Sequence, residues 1–219
     1  MDYEVLLLLE RADAAAEAFG AVLPAPSKKE LAGAIDHTRD WPAAAAAVAR
    51  ARAAVRIVDD LPSEERLGSF VARVAAAASK LACVAVWWRP ADRLVEPRTL
   101  TSAARDDDPL RVALNVRLFH VETGRNEERI MDTVGLAALA LPDVQCHFLA
   151  LDVAAVAELL EETARYLYAE GDVIGDDDTV PGVDDEPWSC RHETALVDPP
   201  RDVVDLSPPA PHAARRAAR

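Results

Sequence analysis

The stretch from residue 128 to 151, ERIMDTVGLAALALPDVQCHFLAL, constrains the fold more than any other part of the chain. A polar pair, Asp132 and Thr133, precedes a glycine and a short apolar segment at 136–141, and a Pro-Asp break then leads to a strand-like run at 144–149. Asp132 and Thr133 resemble the residues that cap the start of a helix. Apolar segments of strand length precede this stretch and a long amphipathic helix follows it, so we expect it at the centre of the fold.

Strand-like and helix-like patterns alternate on both sides of this stretch. Apolar runs predict strands at residues 3–9, 55–58, 82–88, 110–121, 188–193 and 203–206. Apolar residues three and four apart predict two long helices, one over 63–81 and one that begins at Asp152 and ends at Gly171. The pattern predicts an α+β fold, in which a mixed β-sheet of about six strands is packed by two main helices and followed by an irregular acidic C-terminal segment.

The length of 219 residues suits a single domain with a sizeable core. We predict one domain over residues 1–206, with an N-terminal half at 1–105 and a C-terminal half at 110–206. The remaining residues, 207–219, are mainly proline, alanine and arginine, and this composition predicts a disordered tail.

The formal net charge is −14, and most of the acidic excess lies late in the chain. From Glu170 to Asp205 there are twelve acidic residues against two arginines. Such a field disfavours nucleic acid and anionic membranes as partners and favours a basic protein or a cation. The alternative is that these acids only keep the protein soluble.

The cysteine content predicts reduced thiols. Cys83, Cys146 and Cys190 are too few for a disulfide framework in a chain of this length, and their number is odd. No stretch approaches the roughly 20 apolar residues that a bilayer requires, and the N-terminus lacks the pattern of a signal peptide. These features together predict a soluble cytoplasmic protein.

Several short motifs in the second half resemble a bacterial domain-of-unknown-function family, number 4261 in that series. They are Asp132-Thr133-Val134-Gly135-Leu136, Leu141-Pro142-Asp143-Val144-Gln145, Gly171-Asp172-Val173-Ile174, Thr179-Val180 with Gly182, and Trp188. The resemblance covers residues 110–206, with Ala140 in place of the glycine that the family has before its Leu-Pro step. It implies a cytosolic bacterial protein without an assigned active site, and related domains of the suppressor-of-fused type imply a role as an immunity protein that neutralises a toxin.

Two groups of side chains suggest metal ligands, but neither has standard spacing. The first contains thiols and imidazoles, which zinc prefers: Cys146, His147, Cys190, His192 and His120. Adjacent residues on a strand point to opposite faces, so ordinary half-buried sheet residues are the alternative. The second group, the acids at 176–178 and 184–186, lacks the calcium-loop pattern and is interpreted as a solvated loop. We therefore predict no metal site and no cofactor.

No sequence context marks a nucleophile, since the elbow motif of serine hydrolases and the cysteine-protease contexts are both absent. Trp87 and Trp88 are adjacent on a predicted strand, which favours packing on two faces over a ligand platform. We predict no catalytic residue.

The resulting hypothesis is a non-catalytic cytosolic module that binds a basic protein, such as an immunity-type inhibitor of a basic toxin or effector. Its predicted binding residues are Asp176, Asp177, Asp178, Asp184, Asp185, Glu186 and Trp188. In this hypothesis Trp188 is the apolar anchor, with a core position as its alternative. A second hypothesis is a small hydrolase or metal-dependent enzyme that uses Cys146, Cys190 and His192.

Overall fold

The computed structural model describes residues 2–11, 15–38, 40–60, 64–122 and 127–214. The chain forms two compact units, Met1–Asn115 and Val116–Arg219. Sequence analysis treated residues 1–206 as one domain whose halves meet between 105 and 110, whereas the two units meet at 115/116.

The first unit contains an antiparallel sheet with the strand order β2-β3-β1-β4-β5. Its strands are β1 (Asp2–Leu9), β2 (Ala21–Pro24), β3 (Ala53–Asp60), β4 (Cys83–Trp88) and β5 (Arg93–Val95). Its helices are α1 (Ala32–His37), α2 (Ala44–Arg50), α3 (Glu64–Lys80), α4 (Pro97–Asp106) and α5 (Leu110–Ala113).

Helices cover both faces of this sheet, which explains why β1 is apolar without alternation from Val5 to Leu9. Leu6 and Leu8 belong to a buried cluster that includes residues of α1 and α2. On the other face, Tyr3, Phe70 of α3 and Trp88 pack edge to face, and the Trp88 indole N–H donates to the Tyr3 hydroxyl at 2.9 Å.

The second unit contains a mixed sheet with the order β6-β7-β8-β11-β10-β9. Its strands are β6 (Asn115–His120), β7 (Glu128–Val134), β8 (Asp143–Leu149), β9 (Thr179–Pro181), β10 (Pro187–Thr194) and β11 (Asp202–Ser207). The last strand, β11, pairs parallel with β8 and antiparallel with β10, and so lies between them. One long helix, α6 (Val153–Glu170), packs against β7 and β8.

The ends of α6 lie where the sequence predicted them, at Asp152 and Gly171. The Asp152 carboxylate accepts hydrogen bonds from the Ala154 and Ala155 N–H groups, both at 2.9 Å. Gly171 ends the helix with a φ of 83°, which glycine adopts without a side-chain clash. Within the described residues, none of the helices is long and apolar enough to cross a membrane.

The α+β class and the two main helices, α3 and α6, are confirmed, although Ser63 lies outside the described residues. The single sheet is wrong, because the strands divide between sheets of five and six. The strand predicted at 110–121 is also wrong in its first part. Pro109 has helical backbone angles, and Leu110–Ala113 forms a helical turn that buries Leu110 and Val112 before β6 begins.

The tail is ordered over part of the predicted disordered segment 207–219. Pro208 is buried, the Leu149 N–H donates to the His212 carbonyl at 3.0 Å, and Ala213 forms a bridge with Phe148. His212 and Ala213 therefore bind the end of β8, beyond its pairing with β11, and 215–219 lie outside the described residues.

Candidate functional site

An open cleft of about 640 Å³ lies in the second unit, and we name it the acidic cleft. One part of its lining is apolar and comes from the turn between β7 and β8: Ala137, Ala140, Leu141 and Pro142. The other part is polar and comes from the chain after α6, β10 and β11: Asp172, His192, Glu193, Thr194 and Asp202. The lining therefore combines carboxylates with an apolar surface.

The apolar part of the lining comes from a 3-10 helix, Leu136–Leu139, and the residues that follow it, and Asp143 caps two N–H groups of this helix. The Asp143 carboxylate accepts from Leu136 N–H at 3.1 Å and from Ala137 N–H at 3.5 Å. The helix ends at Ala140 with φ 60°, a left-handed conformation that favours glycine. Sequence analysis was thus wrong about Asp132 and Thr133 as helix caps, because both are buried residues of β7.

A buried network of two arginines and two aspartates lies behind this helix. Arg117 of β6 donates to both carboxylate oxygens of Asp132, at 2.9 and 2.5 Å. Arg201 donates to Asp132 at 2.5 Å and to Asp143 at 3.0 Å. Burial raises the pKa of the Asp143 carboxyl, while Arg201 and the two backbone N–H groups act in the opposite direction. The network joins β6, β7, β8 and the residue that precedes β11, and thereby fixes the cleft lining.

The segment that follows α6 lies along β10 through backbone hydrogen bonds. The Asp177 N–H donates to the Cys190 carbonyl at 2.9 Å, and the Cys190 N–H donates to the Asp178 carbonyl at 2.8 Å. Asp178 also accepts from the Gly175 N–H through its side chain, at 2.7 Å. The acids of this segment are therefore held in place while their side chains remain exposed.

His192 lies between two carboxylates of that segment. Its Nδ1 is 3.2 Å from Oδ1 of Asp176 and its Nε2 is 3.1 Å from Oδ1 of Asp172. The His192 backbone N–H also donates to Asp176, at 2.8 Å. The hydrogen bond to Asp172 is the main cause that raises the pKa of His192, and the bond to Asp176 adds to it.

None of the predicted binding residues lines the acidic cleft directly. Asp176 is joined to it through His192, and Asp177 and Asp178 continue along the same segment. The other three acids, Asp184, Asp185 and Glu186, lie in the turn between β9 and β10, where the Gly182 N–H donates to the Glu186 carbonyl at 2.7 Å. Asp176, Asp177 and Asp178 thus form an acidic rim beside the cleft, whereas Asp184, Asp185 and Glu186 lie at the opposite end of β10 from the lining residues 192–194.

Trp188 is a core residue and not a surface anchor. Its side chain is fully buried in β10, opposite Val180 of β9. The indole packs so closely on Gly182 that a Cβ there would lie 2.1 Å from Nε1. The alternation along β10 turns Trp188 inward, away from any partner.

The Gly182→Ala variant is expected to lose about 1–3 kcal/mol of unfolding free energy, because the added methyl group overpacks a buried indole. Urea unfolding followed by tryptophan fluorescence measures this loss. The matched variant is Gly175→Ala, where the nearest atom to the new Cβ is Oδ2 of Asp178 at 3.3 Å, on an exposed side chain. Equal stability of the two variants would contradict the close packing on Gly182.

The thiols and imidazoles considered as metal ligands are distributed over three strands. Cys146 and Cys190 lie on β8 and β10, which β11 separates, and His147 pairs with Glu128 at 3.0 Å. Among the described residues, no three side chains of the ligand types are grouped as a metal site.

Burial also works against a cysteine nucleophile. It raises the pKa of Cys190 to about 11, with a further contribution from Asp178, and it raises the pKa of Cys146 well above its ordinary value. Both thiols are therefore protonated near neutral pH, and His192, two residues from Cys190, is engaged with carboxylates.

Sequence analysis missed the residues that build the cleft. Arg117 and Arg201 were overlooked because an isolated arginine in a strand or loop is normally interpreted as exposed. The alternation in the sequence indicated the opposite for Arg117, because the apolar Val116 and Leu118 are only half-buried whereas Arg117 is buried. Asp172 and Asp202 gave no signal, since only the strand order brings them to one site.

Residues 132–207 match the model of the family described as a domain of unknown function, DUF4261, and this segment belongs to that family. No curated protein and no solved structure matches the chain. The complete lining of the acidic cleft lies within the matched segment, as do three of the four residues of the buried network, whereas Arg117 lies before it.

Proposed function

We propose that the protein is a non-catalytic binding module that recognises a basic protein partner through the acidic cleft and its acidic rim. The observation that supports this proposal is the large excess of acidic over basic side chains on this surface. Of the two arginines between Glu170 and Asp205, Arg201 is buried against Asp132 and Asp143. Only Arg191 remains exposed, 4.0 Å from Asp177, and it does not offset the surrounding acids.

The first unit provides a contrast, because its arginines are placed beside its acids. Glu4 pairs with Arg56 and Arg89, and Asp59 pairs with Arg66 and Arg73. Paired charges produce little long-range field, whereas an excess of one sign steers oppositely charged partners. The second unit therefore supports attraction of a basic surface more strongly than the net charge alone does.

The shape of the cleft suits a lysine or arginine side chain of such a partner. Long basic side chains have an apolar stem and a charged end. The stem would pack on the apolar lining at Leu141 and Pro142, while the charged end would bind Asp172 or Asp202 of the same lining. This fit favours a protein ligand over a simple inorganic cation.

The more specific proposal is a cytoplasmic immunity-type inhibitor of a basic toxin or effector, in a bacterial host. Its support is the acidic recognition surface together with three free cysteines, which are typical of a reducing compartment. A basic partner and reduced thiols are what this role requires.

Removal of three rim charges should weaken binding to a basic probe. For Asp176→Asn, Asp177→Asn and Asp178→Asn combined, we expect on the order of tenfold lower affinity for a hexalysine peptide, since each exposed charge contributes about 0.2–1 kcal/mol. Stability should be nearly unchanged, because asparagine retains an oxygen for the N–H groups of Gly175 and His192. Calorimetric titration at low salt measures the affinity.

The matched control is a second triple aspartate-to-asparagine variant in the first unit, at Asp106, Asp107 and Asp108. It changes the net charge by the same three units, so it should bind hexalysine as the wild type does. Equal weakening by both triple variants would show that the peptide responds only to net charge and would refute the proposed surface.

A further inference from the structure

We infer that His192 is a proton-controlled counter-ion of the acidic cleft, whose charged form competes with a bound cation and whose neutral form admits it. This inference rests on the proposed function and adds regulation of the same site. It assigns to His192 a role that neither the family nor the net charge provides.

Both ring nitrogens of His192 face carboxylate oxygens, which in their ionised form only accept hydrogen bonds. Nδ1 and Nε2 each lie within hydrogen-bond distance of a carboxylate oxygen, on Asp176 and Asp172 respectively. A neutral imidazole has one N–H and one lone pair, so it satisfies only one of these carboxylates. The arrangement therefore suits the imidazolium, which has two donors.

The two carboxylates do not depend on His192 equally. Asp176 also accepts the His192 backbone N–H, and this bond persists in either protonation state. The Asp172 side chain, in contrast, contacts the imidazole through Nε2, and no backbone N–H of the described residues donates to it. Loss of the proton leaves the ring with one N–H for the two carboxylates and removes its positive charge, so the site as a whole, with Asp172 in the cleft lining, becomes more available to another cation.

The other charged groups near His192 do not replace it. On β10 its neighbours are Arg191, which lies 4.0 Å from Asp177, and Glu193, which lines the cleft. Asp202 of β11 lines the cleft as well. The facing groups are thus mostly acidic, and they stabilise the protonated ring.

The direction of the pH effect follows from these contacts. Hydrogen bonding to Asp172, and less strongly to Asp176, places the pKa of His192 above the ordinary 6.5. The histidine therefore stabilises the fold below pH 6.5, and this contribution is lost as the pH rises through the raised pKa. Over the same interval the cleft loses one positive charge, so its affinity for cations rises and cation binding releases a proton.

The first test is an NMR titration of the His192 ring in the free protein. We expect the midpoint to lie above 6.5 in the wild type and to move downward in Asp172→Asn. Asp202→Asn removes the same charge from the cleft without removing a His192 hydrogen bond, so its midpoint should move less. Equal shifts in the two variants, or an ordinary midpoint in the wild type, would refute the role of His192 as a counter-ion.

The second test measures hexalysine affinity across the His192 titration. The wild type should bind more tightly above the midpoint, by up to about fivefold, as for one exposed ion pair. His192→Gln, which does not titrate, should show a flat pH profile. A flat wild-type profile with measurable binding would overturn the regulation alone. No binding at any pH would overturn the proposed function and, with it, the regulation, while the NMR result would still report on the free histidine.

Discussion

Replacement of Arg201 by methionine is expected to destabilise the second unit by about 3–5 kcal/mol, because it leaves Asp132 and Asp143 buried without one of their cations. Arg201 bridges both carboxylates and also donates to the Thr133 carbonyl at 2.7 Å. Methionine retains the apolar volume of the side chain but supplies no donor. Urea unfolding of the purified variant measures the loss, and failure to obtain soluble protein agrees with the upper end of this range.

Two further variants serve as controls for Arg201→Met. Arg191→Met removes an arginine whose side chain is 62% exposed, and it should change the unfolding free energy by less than about 0.5 kcal/mol. Arg201→Lys retains the charge but not the pair of directed hydrogen bonds, so its stability should lie between those of Arg201→Met and the wild type. Wild-type stability of Arg201→Met would mean that the network does not hold the second unit together.

Leu136→Asp is expected to cost about 4 kcal/mol or more, since it removes a buried apolar side chain and introduces a carboxylate without a partner. Leu136 is fully buried at the start of the 3-10 helix, and its backbone N–H donates to the Asp143 carboxylate. The measurement is the soluble yield, followed by the unfolding midpoint of any folded fraction.

Leu141→Asp is the matched variant and should be milder. Leu141 is only half-buried and lines the acidic cleft, so a carboxylate there remains partly hydrated. Cooperative folding of Leu136→Asp at wild-type stability would show that the turn between β7 and β8 is not part of the core.

The large features of the fold were accessible from the sequence because they depend on burial. The apolar run in β1 and the helical stripe of α3 are residue patterns within single segments, so both can be recognised without knowledge of the strand order. The same reasoning identified residues 128–151, which form β7, the 3-10 helix and β8 of the second sheet. The same reasoning did not predict two sheets, because the residue pattern of a strand does not reveal which other strands pair with it.

The acidic cleft depends on that missing information. Strand β11 enters the sheet parallel to β8 and antiparallel to β10, which places Asp202 beside the lining from β10. His192 and Asp172 are 20 residues apart, and the return of the chain along β10 brings them together. The acidic segment itself was predictable because charge is a property of composition, whereas its contacts are a property of strand order.

The measurement that tests the central claim most directly is the association rate of hexalysine with the wild-type protein as a function of ionic strength. Between about 0.05 and 0.5 M salt the screening length falls from roughly 14 to 4 Å. If attraction to the exposed acids accelerates the association of hexalysine, the association rate should therefore fall markedly over this range. The Asp176, Asp177 and Asp178 triple variant should show a flatter dependence, and the triple variant of the first unit should keep the wild-type slope. An association rate that is indifferent to salt, with the same slope in all three proteins, would contradict recognition through the acidic cleft and its rim and would leave these acids as a solubilising surface.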